Sequence, residues 1–153
     1  MIFRRAGICL IFVLAFSDPL PAQDSDSAVL EVHVDGIKDI PGEIGVALFN
    51  AKLGYPIHIE HAYENEWIPL KKGLQAVDAV FDGIPPGEYA VSVVHDTNAN
   101  RSVDRSTVGF PKEGVGFSNG QKVTLRAPRY EKSKIMIEGG KSTKIVITLD
   151  YRD

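Results

Sequence analysis

The stretch HDTNANRSVD, residues 95–104, places oxygen-bearing side chains at alternating positions: Asp96, Asn98, Asn100 and Asp104, with Ser102 between the last two. Alternate residues of a tight loop turn their oxygens inward, and a hard cation such as calcium gathers roughly six to eight of them. Counted as a calcium loop, these four side chains take positions 1, 3, 5 and 9, and Ser102 offers a main-chain carbonyl at position 7. Val103, at position 8, is the apolar anchor beneath the ion. The pattern then breaks. Arg101 stands at position 6, where glycine permits the sharp turn, and Thr107 at position 12, where a bidentate glutamate closes the shell. Glu113, in PKEG after the turn at Pro111, is the carboxylate placed to fold back and complete the set. The same residue types also build turns without an ion, because Asp and Asn side chains accept hydrogen bonds from nearby main-chain amides. A calcium-ordered loop and a self-closed loop both fit this stretch.

Further along, VGFPKEGVGFSNG (108–120) sets Phe110 and Phe117 each after a glycine. On a surface loop two such rings form a platform for a partner; tucked inward, they staple the loop down. His58 and His61 in HIEH, with Glu60 and Glu64 nearby, present two imidazoles to zinc only if the segment makes one helical turn, and no third ligand is fixed. His95 is placed to end its strand and orient the acidic loop. No nucleophile elbow, phosphate-cradling loop or metalloprotease spacing occurs. The expectation is a non-enzymatic protein, with possible cofactor chemistry confined to calcium.

The elements that must position these residues read as strands. AVLEVHVDGI (28–37) alternates, with Leu30, Val32 and Val34 on one face and Glu31, His33 and Asp35 on the other. EIGVALFN (43–50) repeats the pattern with Ile44, Val46 and Leu48 inward, and the intervening Pro41-Gly42 predicts a hairpin. Strands are predicted over 74–81 and 88–95 around the turn Pro85-Pro86-Gly87, and two more in SKIMIEGG and STKIVITLDY around Gly139-Gly140. Residues 51–70, with Tyr55, Tyr63 and Trp67, read as a connection packing aromatics over a sheet edge. The chain is expected to be all-β: a two-layer antiparallel sandwich of about seven strands with a long acidic, glycine-rich loop.

The N-terminus carries Arg4 and Arg5 before an apolar run from Ala6 to Phe16, then LPA, which reads as a signal peptide over residues 1–22. That leaves 23–153 as one domain, secreted or periplasmic, with no transmembrane segment after cleavage and without Cys9, the chain's single cysteine. A net charge of −3 with no basic stripe argues against nucleic acid.

FDGIPPGEYAVSV (81–93) resembles the strand-turn-strand signature of prealbumin-like sandwiches, a group that includes carboxypeptidase regulatory domains. HDTNAN, followed by Asp104 and then GFPKEGVGFSN, resembles the small secreted bacterial family known as domain of unknown function 2141, over nearly the whole chain after residue 22. The resemblance implies a secreted β-sandwich and lends no established activity. The family pattern has a glycine where Arg101 stands. Hydroxyisourate hydrolases share the prealbumin-like fold and end in tyrosine-arginine-glycine-serine; that likeness would carry over His33, Tyr151 and Arg152, although Asp153 follows here. The function expected is a binding or accessory module whose loop 95–120, ordered by calcium, presents a surface to a protein, glycan or envelope component. The alternatives are a calcium-independent structural envelope protein and the hydrolase.

Overall fold

The computed structural model describes residues 26–124 and 126–151. The expected signal peptide and Arg152 lie outside the described residues. Eight strands are present: β1 (Ala28–Asp35), β2 (Glu43–Phe49), β3 (Glu64–Pro69), β4 (Val77–Ile84), β5 (Gly87–Asp96), β6 (Gly114–Phe117), β7 (Ile135–Ile137) and β8 (Ser142–Thr148). One helical turn, α1 (Tyr130–Ser133), and two 3-10 turns at 59–61 and 118–120 accompany them. Strands β4, β1 and β8 make a three-stranded sheet. Strands β3, β2, β5 and β6 follow one another in a five-stranded sheet that β7 completes by pairing with β5. The result is an all-β sandwich.

Period-two alternation decides which side chains meet between the sheets. Leu30, Val32 and Val34 of β1 face Ile44, Val46 and Leu48 of β2, and all six are fully buried in one core with Phe81, Val91 and Ile137. Glu31, His33 and Asp35 stay half-exposed on the other side of β1, as alternation requires.

The neighbours differ from expectation. β1 and β2 do not pair: β1 lies between β4 and β8, while β2 lies between β3 and β5. The chain crosses from one sheet to the other at Pro41-Gly42, again at Pro85-Pro86 between β4 and β5, and again at Gly139-Gly140 between β7 and β8. All three expected hairpins are arches between layers. One ladder is also parallel, β1 with β8, because β8 returns to the first sheet in the direction in which β1 left it. Two strands were not expected: β3, within the presumed connection, and β6, within the presumed loop.

Strand β5 is the hub. Its second edge is shared, since β6 pairs with Ser92 to His95 and β7 with Gly87 to Tyr89. Val91 falls in the gap. Its N–H donates to the Ser118 hydroxyl at 2.8 Å, and that hydroxyl donates onward to the Ser133 carbonyl at 2.6 Å. One buried hydroxyl thus fills the missing rung and fastens α1 to the sheet. A buried donor left without a partner costs about 1–3 kcal/mol, so Ser118→Ala is expected to lower the urea unfolding midpoint by that amount at unchanged m-value. A Ser118→Ala protein as stable as wild type would show that water replaces the hydroxyl.

Candidate functional site

The acidic loop leaves the end of β5 at Asp96 and returns at Glu113, just ahead of β6. Both carboxylates are buried, at 0% and 4% exposure. Asp96 Oδ1 accepts the amides of Asn98 (3.3 Å) and Asn100 (3.2 Å), and Oδ2 accepts that of Arg101 (2.5 Å). Glu113 folds back as its place in PKEG implied: Oε1 accepts the Thr97 amide and Oε2 the Asp104 amide, both at 3.1 Å. Asp104 in turn accepts from Asn98 Nδ2 (2.7 Å) and Asn100 Nδ2 (3.4 Å), and Asn100 Oδ1 accepts the Ser102 amide. Every candidate ligand from Asp96 to Glu113 therefore belongs to one hydrogen-bonded cluster. Alternation in sequence becomes convergence in space because Ala99 and Arg101 take left-handed backbone, at φ 55° and 56°. Arg101 adopts the conformation that glycine supplies at position 6 of a calcium loop, at the strain usual for a residue with a Cβ.

Burial sets the electrostatics. Desolvation pushes the Glu113 carboxyl above its ordinary value; the two amides it accepts oppose this, and Asp96 and Asp104 reinforce it. His95, beside Asp96 on β5, is fully buried. Desolvation lowers its pKa, against the opposing influence of the Ile40 main chain and Asp96. Nδ1 of His95 lies 2.7 Å from the Tyr151 hydroxyl, whose oxygen already accepts the Lys38 amide at 3.1 Å. That leaves the phenolic proton for Nδ1, while Nε2 has no hydrogen bond in reach of good geometry. His95 thus ties the C-terminal segment to the loop's base, not the loop itself. The fit is close, for a Cβ at Gly114 would collide with the Tyr151 ring.

From Asp104 to Lys112 the loop forms an arm. The Lys112 amide donates to the Asp104 carbonyl, and the tip turns through Gly109, whose amide donates to the Ser106 carbonyl. The arm lies over the outer face of the five-stranded sheet and packs Val103 and Phe110 against Val94, Val115, Phe117 and Val123. Phe117 is not on a surface loop but within β6 at 7% exposure, and Phe110 is half-buried. Between arm and sheet remains a cavity of about 270 Å3. Its floor includes Ala47, Val94, Val115 and Phe117, Trp67 stands at one wall, and Phe110 with Val108 closes another. The sequence singled out the two phenylalanines, Trp67 and Arg101 without bringing them to one cavity, and did not mark Val94, Arg105 and Arg126 as its lining. The signal available was YAVSVV, where Ala90 and Val94 add apolar or small residues to the phase opposite Tyr89, Val91 and Val93, as a strand covered on two sides requires.

The remaining candidates stand apart. The rings of His58 and His61 are 6.4 Å apart, and His58 Nδ1 meets Glu60 at 3.1 Å. Among the described residues no group of three His, Cys, Asp or Glu is arranged to hold a metal ion. His33 bonds Asp78 at 2.7 Å across β1 and β4, whereas Tyr151 bonds His95 and Lys38, so these two candidates have separate partners. Among the described residues no helix is long and apolar enough to cross a membrane.

Two packed sheets with a looped-over cavity define a β-sandwich protein. The chain belongs to a family of uncharacterised proteins conserved in bacteria (DUF2141), whose profile matches residues 32–146, a span that takes in the whole acidic loop and cavity. Comparison with curated proteins and with solved structures gives no match.

Removing the central acceptor should loosen the loop: Asp96→Ala is expected to cost about 2 kcal/mol, since hydrogen bonds to a buried charge are worth ~1.5–3 kcal/mol, read as a lower denaturant midpoint. A second expectation concerns pH. Glu113 binds its proton more tightly folded than unfolded, so stability falls as pH rises from its ordinary 4.5 to its raised value. His95 binds its proton less tightly folded, so stability falls as pH drops from 6.5 to its lowered value. The slopes oppose each other. Each is therefore read as a difference from wild type: Glu113→Gln should gain relative stability as pH rises through the first window, and His95→Gln as pH falls through the second.

Proposed function

We propose that the protein is a non-enzymatic binding module that takes an apolar small molecule between the arm of its acidic loop and the outer face of the five-stranded sheet. The observation that carries this reading is the cavity itself, walled by Trp67 and Phe110 over an apolar floor that includes Val94, Val115 and Phe117. Small-molecule sites are mostly apolar, with few polar groups. Among the described residues, the cavity's lining has no Asp, Glu, His, Lys or Tyr to serve as an acid or base, which favours binding over reaction. Placement outside the cytoplasm, in the periplasm or beyond, rests on the N-terminal Arg4-Arg5 and apolar run and is part of the same proposal.

Trp67 is the only tryptophan, so its fluorescence reports on the cavity alone. Titration with the neutral probe N-phenyl-1-naphthylamine should give saturable energy transfer from Trp67, and Ser92→Phe, which fills the floor, should abolish it at unchanged melting temperature. An unsaturable response in wild type would sink the reading.

Calcium binding at the loop is a second reading. It is favoured by Glu113 folding back onto Thr97 and Asp104 and by the left-handed Arg101, which together supply the closing carboxylate and the turn that the linear pattern lacked. Carboxylate oxygens keep a second lone pair after accepting an amide. A site with two buried carboxylates should raise the melting temperature saturably with calcium and not with magnesium, relative to chelator, as native-state binding requires; Asp104→Ala should remove the shift. No shift at several millimolar calcium would leave the loop closed by its own side chains.

A further inference from the structure

The cavity that the proposed function rests on has a charged rim of one sign. Arg101, Arg105 and Arg126 line it, and no acidic residue does. The chain as a whole has 20 acidic residues against 17 lysines and arginines, so a purely basic lining is not what its composition supplies by default. Three of the four arginines among the described residues gather here, with only Arg129 elsewhere.

Three lysines elsewhere on the surface are neutralised by carboxylates. Lys134 pairs with Glu88 and Glu131, Lys141 with Glu138, and Lys144 with Glu31. Arg101 is already engaged: its guanidinium sits 5.5 Å over the Trp67 ring and 3.7 Å from Glu43 Oε2. Arg105 and Arg126 have no acidic partner among the described residues. Arg105 donates once, from Nη1 to the Gly109 carbonyl at 3.0 Å, which holds the side chain along the arm and leaves its other donors unused. A guanidinium offers a planar fork that matches a carboxylate, and it does so at lower desolvation cost than an ammonium.

We infer that the ligand is a single-chain amphiphile with an anionic head, whose apolar body lies over Val94, Val115 and Phe117 and whose carboxylate is received by Arg105 and Arg126 at the rim. The volume bounds the body. At about 270 Å3 the cavity lies just below the ~300–1,000 Å3 usual for small-molecule sites, so one short acyl chain or one ring system fits and a two-chain lipid does not. The inference deepens the proposed function and rests on it, so the test must separate the two.

Decanoate, 1-decanol and decyltrimethylammonium share one chain and differ in head charge. Each is titrated into the purified protein at constant ionic strength, with Trp67 fluorescence and calorimetry as readouts. The expected result is decanoate binding at least tenfold more tightly than decanol, with the cation weakest. Arg105→Gln and Arg126→Gln should each weaken decanoate about tenfold, the size of one lost charge-assisted hydrogen bond, and leave decanol unchanged. Both side chains are exposed, so the melting temperature should hold. Equal binding of decanoate and decanol, indifferent to either arginine, would overturn the anionic head and leave the apolar site standing. Binding of none of the three would overturn both.

Discussion

Strand β5 is buried without a break from Tyr89 to Asp96, and that constraint organises the rest of the molecule. A strand buried on both faces needs a second apolar layer, since the sandwich covers only one. The inner face has the other sheet. The outer face is closed by two coverings that share Tyr55: Tyr55, Ile59 and Tyr130 over Phe49 and Ala90, and Tyr55, Val103, Phe110 and Val123 over Val94, Val115 and Phe117. The cavity remains between the second covering and the sheet. It is a consequence of the double burial rather than an addition to it, and it opens beside the arginines because the loop that bears Arg101 and Arg105 is part of the covering.

Such an arm must be stiff enough to serve as a wall, and its stiffness comes from buried carboxylates. Asp96 and Glu113 together accept five main-chain amides. A carboxylate in that setting is solvated by the chain itself, which makes an otherwise costly burial tolerable. The two groups also bracket the loop, one at each base, so that nearly twenty residues of polar chain are held at both ends and in the middle by Asp104. Glycine supplies the clearance. At Gly42 a Cβ would strike the Asp96 carbonyl, and at Gly45 it would meet the Trp67 indole that walls the cavity.

Much of this was legible in the residues. Alternation in 28–37, 43–50 and 88–95 told which side chains face the core, and Leu30, Val46 and Val91 are fully buried as that pattern requires. The cluster Asp96, Asn98, Asn100 and Asp104 was legible from its spacing, and Glu113 from its place after Pro111. Less legible was the partner of each strand. A proline-glycine step between alternating segments reads equally as a hairpin within a sheet or an arch between sheets, because both reverse the chain and keep the same faces inward. β6 escaped notice because GVGF has too little side chain to show a period, and Phe117 therefore passed for a loop residue.

What the sequence determined by itself is local and periodic: an all-β chain, inward faces set by a two-residue repeat, and a loop whose side chains can satisfy main-chain amides a few residues away. What only the tertiary structure decided is which strands lie side by side, that one sheet is covered on both faces, and that Arg105 and Arg126, 21 positions apart, line the same cavity as Trp67. Short-range hydrogen bonding and side-chain alternation are written in neighbouring residues. Pairing across arches and the gap between two coverings depend on how distant segments share the same volume, and no local pattern carries that information.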